Sequence, residues 1–105
     1  MAKIPIQRLV FLFFLFSVAC SSPAVQQHMI DIAQMKFVPA EITVHKGDQI
    51  TFKNNDMVLH NITDSSGKLL IDSLQAGVSK TITISESFNY YCSLHPVMKG
   101  RIVVN

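Results

Sequence analysis

The chain has 105 residues, 49% hydrophobic and 15% charged, a length that bounds it at one small domain. Its formal charge of +2 resides in Lys3 and Arg8, leaving seven Lys/Arg against seven Asp/Glu from Cys20 onward. A neutral body without a basic run argues against nucleic acid as a partner.

Residues 1–19 read as an export signal. Lys3 and Arg8 give a positive start. Leu9 to Phe16 are uninterrupted apolar residues holding four of the seven phenylalanines, and Ser17-Val18-Ala19 ends the run with small side chains. A membrane-spanning helix needs roughly 20 apolar residues, so the run is too short for a permanent one. Cleavage before Cys20 resembles a bacterial lipoprotein signal, which implies acylation of Cys20 and a membrane anchor. Ser17 departs from the leucine usual in such signals, and plain cleavage after Ala19 or Ala24 is the alternative. The mature chain is expected in the periplasm or cell envelope.

Residues 20–27 are mostly small and polar and read as a tether, leaving 28–105 as the folded domain. Along that body, Ile30 and Ile32, Ile42 and Val44, Ile50 and Phe52, Ile82 and Ile84, and Phe88, Tyr90 and Cys92 occupy alternate positions. His45-Lys46-Gly47-Asp48, Asn54-Asn55-Asp56 and Asp64-Ser65-Ser66-Gly67-Lys68 read as turns, and Ile102 and Val104 close the chain. Period-two segments with turns at this spacing predict an all-β, antiparallel sandwich or barrel. No stretch of the body keeps a helical period. Cys92 is the one cysteine in it, and an unpaired thiol in an oxidising compartment needs burial or a metal.

The stretch Phe88-Asn89-Tyr90-Tyr91-Cys92-Ser93-Leu94-His95-Pro96-Val97-Met98-Lys99-Gly100 carries the chemistry. It spaces a thiol, an imidazole and a thioether three residues apart, at Cys92, His95 and Met98. The first ends a strand and the other two are expected on the following loop. Pro96 cannot extend a ladder, and Gly100 permits a tight return. A fourth donor must come from elsewhere, and His60, just past the Asn54-Asn55-Asp56 turn, is the natural candidate. Two imidazoles, one thiolate and a weak axial thioether suit a single copper ion that changes oxidation state. Singly, a buried cysteine, a surface histidine and a core methionine are the ordinary readings of these residues; their spacing tips the balance.

The body resembles cupredoxins of the plastocyanin and amicyanin type, which implies a Greek-key antiparallel β-sandwich. Lys36-Phe37-Val38-Pro39-Ala40-Glu41-Ile42-Thr43-Val44-His45-Lys46-Gly47-Asp48 with His60-Asn61 forms one block of resemblance, and the Cys92–Met98 stretch the other. The ligand loop has the short amicyanin spacing. The resemblance implies one type 1 copper ion, with Asn61 donating its N–H to the Cys92 sulfur and tying the two ligand segments together. It departs from the family in Leu59 and Leu94, where prolines are frequent. It implies a monomeric electron carrier rather than an enzyme, meeting redox partners by weak contact near His95, where Leu59, Leu94, Pro96 and Val97 offer an apolar rim. A copper carrier or buffer of the envelope, delivering metal without redox cycling, is the alternative. A Cys–His hydrolase lacks an orienting third group and an oxyanion motif.

Overall fold

A computed structural model describes residues 24–105; residues 1–19, read above as an export signal, and Cys20 lie outside the described residues. Nine strands follow one another: β1 (Gln27–Ala33), β2 (Lys36–Val38), β3 (Glu41–Val44), β4 (Gln49–Asn54), β5 (His60–Asp64), β6 (Leu69–Leu74), β7 (Ser79–Thr83), β8 (Phe88–Cys92) and β9 (His95–Val104). No helix occurs among the described residues.

The strands form two sheets, ordered β2-β1-β4-β7 and β3-β9-β8-β5-β6. Both are mixed. β1 runs parallel to β4 and β3 parallel to β9, while the other neighbours are antiparallel as expected. The parallel pairs join strands that are distant in the chain: β1 lies between its hairpin partner β2 and the later strand β4, and β3 lies against the C-terminal β9. The body also begins earlier than the composition suggests. Gln27 already pairs with Gln49 in β1, and Gln49 N–H donates to the Gln26 carbonyl at 3.0 Å.

Alternation decides which residues face between the sheets. Ile30 and Ile32 of β1, Ile50 and Phe52 of β4, Tyr90 and Cys92 of β8, and Ile102 of β9 are all buried. Tyr90 anchors this core. Its ring centroid lies 4.7 Å from Phe37, 5.6 Å from Phe52 and 6.2 Å from Phe88, all edge-on, the arrangement that favours aromatic pairs. Gly100, directly opposite Tyr90 on β9, is needed for this packing and not for the tight return expected of it. A Cβ there would lie 2.2 Å from the Tyr90 ring, closer than any real contact.

Candidate metal centre

One end of the sandwich brings His60, Cys92 and His95 together. Phe88, Tyr90 and Cys92 share the inward face of β8, so period two delivers the Cys92 sulfur to the end of the core, fully buried. β5 runs antiparallel beside β8, with Thr63 opposite Tyr91. That register sets Asn61 beside Ser93 and carries His60, the first residue of β5, past the end of β8. His60 is fully buried.

β9 starts at His95, so His95 and Met98 lie on a strand rather than on the expected loop. The curl survives as an irregularity within it. Pairing passes from Cys92–His95 directly to Tyr91–Lys99, so Pro96, Val97 and Met98 bulge from the ladder. Pro96 has no N–H to give a ladder, which is the local reason. Met98 turns inward and is 2% exposed, while Val97 beside it is 85% exposed.

His60 Nδ1 lies 3.6 Å from Cys92 Sγ. With metal–sulfur and metal–nitrogen bonds of about 2.3 and 2.0 Å, donors that far apart subtend roughly 110° at a shared ion, between tetrahedral and trigonal. The His60 and His95 rings are 5.2 Å apart, centroid to centroid. A nitrogen-bound ion sits about 3 Å from an imidazole centroid, so two ligating rings fit that spacing. Among the described residues, His, Cys, Asp and Glu nowhere form a closed three-membered metal cage, and His95 is half-buried.

Asn61 is 5% exposed and stitches β5 to the Cys92–His95 turn. Its backbone N–H points at Cys92 Sγ, 3.4 Å away. Its side chain donates to Ser93 Oγ at 2.8 Å and accepts from the Ser93 N–H at 2.9 Å and from Thr63 Oγ1 at 3.0 Å.

Asp56 is not singled out by the sequence, where it reads as a turn residue. Its Oδ2 lies 3.0 Å from His60 Nε2. A carboxylate there accepts a hydrogen bond from Nε2–H and leaves the Nδ1 lone pair facing the sulfur, which is how metal-binding histidines are usually oriented. Asp56 Oδ1 accepts from the Gln34 N–H at 2.7 Å and Oδ2 from the Met35 N–H at 3.0 Å. Partial burial pushes its carboxyl up, but His60 and these two amides outweigh it and leave the pKa below the usual value. Buried Asn54 secures the connecting segment, donating to the Val58 and Leu74 carbonyls at 2.8 and 2.9 Å and accepting from the Asp56 N–H at 2.8 Å. The signal for Asp56 was its position four residues before His60.

The remaining histidines lie at the other end of β4. His28 Nε2 is 2.9 Å from Asp48 Oδ2, and exposed His45 donates its backbone N–H to the same oxygen at 3.0 Å. Around the half-buried His95, Leu59, Leu94 and Val97 are exposed, as are Met57 and Val58.

Residues 6–104 match the family model described as a cupredoxin-like domain. The amicyanin of Paracoccus denitrificans is 32% identical over 83 residues, which take in 72% of this chain and 63% of that protein. The chain thus spans somewhat under two thirds of that relative. A plastocyanin of Cucumis sativus is 32% identical over 92 residues, covering 71% of this chain and 93% of that protein. A solved amicyanin variant in its Cu(I) form aligns with a TM-score of 0.68 and 28% identity, covering 75% of this chain and 82% of that one.

Proposed function

The chain belongs to the cupredoxin-like family, and from that premise we propose that it is a type 1 copper electron carrier of the cell envelope, with His60, Cys92, His95 and Met98 as the ligands. The observation that carries the reading is the buried His60 Nδ1–Cys92 Sγ pair at 3.6 Å, with His60 Nε2 held by a carboxylate. The donor set fits: a soft thiolate and thioether suit Cu(I), and imidazole serves both oxidation states. Copper bound there supplies a one-electron couple between Cu(I) and Cu(II).

The protein's part is to hold the donors still. His60 is locked by Asp56, Cys92 receives the Asn61 N–H, and the Asn61–Ser93 bonds keep β5 and the Cys92–His95 turn together. Ligands that move little between oxidation states keep the barrier to electron exchange low. Cys92 and Met98 are sealed in the core, so His95 is the ligand nearest solvent. The exposed Leu59, Leu94 and Val97 form an apolar rim for weak, transient partner contacts. Export rests on the leader sequence, and Cys20 acylation would tether the body to a membrane.

Voltammetry of the copper-loaded protein, with self-exchange followed by NMR line broadening, tests the reading. A reversible one-electron wave with fast self-exchange supports it. A protein that binds only Cu(I), shows no wave and surrenders the metal to a thiol-based acceptor overturns it in favour of the copper carrier.

A further inference from the structure

The β1–β2 connection is unusual in its chemistry. Ala33 pairs with Lys36, so Gln34 and Met35 are the whole turn, and both adopt positive φ, 54° and 60°. Two-residue turns of this hand strongly favour Asn and Gly, because a Cβ is strained there. Neither residue gains by burial, since both side chains are exposed. What the conformation achieves is to aim two successive N–H groups at one point. Successive amides so arranged form an anion-binding concavity. The Asp56 carboxylate fills it, at 2.7 and 3.0 Å. The same carboxylate reaches His60 Nε2 at 3.0 Å, and His60 Nδ1 faces Cys92 Sγ.

We propose that the Gln34–Met35 turn is a tuning element of the metal centre: its two amides hold the Asp56 carboxylate against His60 and divide its negative charge between turn and ring. Both are positioning residues, acting through Asp56. Carboxylate charge delivered to His60 makes the imidazole a stronger donor and favours Cu(II). Charge drawn off by the turn amides does the reverse. The strained turn, carried by the opposite sheet, thereby sets how hard Asp56 pushes on the ligand. This inference rests on the copper reading above.

Redox titration of the copper-loaded full chain tests it. Incorporating the α-hydroxy analogue of methionine at position 35 exchanges one donor N–H for an ester oxygen and alters no side chain. The midpoint potential is expected to fall, because more charge reaches His60. Asp56→Asn is expected to raise it, with Asp56→Glu returning it toward the wild-type value. The same ester exchange at Gly67, whose N–H donates to the Asp64 carbonyl in a separate turn, is expected to leave it unchanged. An unshifted potential in the position-35 ester, or a shift of the same sign as Asp56→Asn, overturns the proposal while the thiolate–Cu(II) band remains. Absence of that band in the wild-type protein overturns the copper reading instead.

Discussion

β4 has a carboxylate near each end, and the two are bonded alike. Asp48 accepts two backbone N–H groups, from Gln26 and His45, and faces His28 Nε2 at 2.9 Å. Asp56 accepts two backbone N–H groups, from Gln34 and Met35, and faces His60 Nε2 at 3.0 Å. The difference lies on the far side of the ring. His60 is fully buried with Nδ1 against Cys92 Sγ, whereas the His28 side chain is 20% exposed and meets no thiol among the described residues. On the proposed copper reading, a carboxylate–imidazole pair is therefore a structural clasp at one end and a holder of the His60 ligand at the other. What distinguishes the two is the end of β8, which brings the Cys92 sulfur to the second ring.

Gly100→Ala should damage both ends at once, because the new methyl collides with Tyr90, which packs the core between them. Overpacking of this kind costs about 1–3 kcal/mol when the neighbours can shift. Here the neighbour is a ring enclosed by Phe37, Phe52 and Phe88, so the upper end of that range is expected in urea unfolding. A variant as stable as wild type would mean that the core yields and the two ends are not rigidly linked.

Asn61→Ala separates the ends. It removes three side-chain hydrogen bonds and strands the Ser93 N–H, a loss of about 1–3 kcal/mol. The backbone N–H to Cys92 Sγ remains, so the thiolate–Cu(II) band should persist in shifted and broadened form. An unchanged spectrum would show that the Asn61 side chain does not hold the ligand segments together.

Asp48→Asn addresses the opposite end and should lower stability without altering the visible band. The His28 hydrogen bond, then the His45 and Gln26 amides, lower the Asp48 pKa from 3.8 to about 2. A carboxyl depressed on folding stabilises the fold above its unfolded pKa and loses that contribution as pH falls through the folded one. Urea midpoints of the wild type should therefore decline between about pH 4 and pH 2, and more shallowly in Asp48→Asn. Parallel declines would remove Asp48 from the acid response. The smallest effect is expected from Tyr90→Phe. Among the described residues the buried Tyr90 hydroxyl has no hydrogen-bond partner, so its removal should be neutral or stabilising by up to about 1 kcal/mol. A clear loss of stability would mean that the hydroxyl is satisfied.

Much of this is legible in the sequence. The inward rows of β1, β4 and β8 follow from strict alternation, and the three-residue spacing of Cys92, His95 and Met98 is what singles these residues out as candidate ligands. β6 is not legible, because Leu69-Leu70-Ile71 breaks alternation and its pairing with β5 is irregular. Nor is the parallel pairing of β1 with β4, since local sequence carries no information about a partner 22 residues away. Gly100 reads as a turn former because a glycine required by a ring across the ladder looks the same in one dimension. Asp56 escapes for a similar reason. Its partners Gln34 and Met35 are ordinary exposed side chains, and only their backbone N–H groups act.

The central claim is that His60, Cys92, His95 and Met98 surround a single copper ion. The most direct measurement is titration of the purified body with Cu(II), followed in the visible range, for wild type and Cys92→Ser. An intense thiolate-to-Cu(II) band that saturates at one equivalent and vanishes in the variant is the expected result. A colourless wild-type protein, or a band that survives the loss of the Cys92 sulfur, would contradict it.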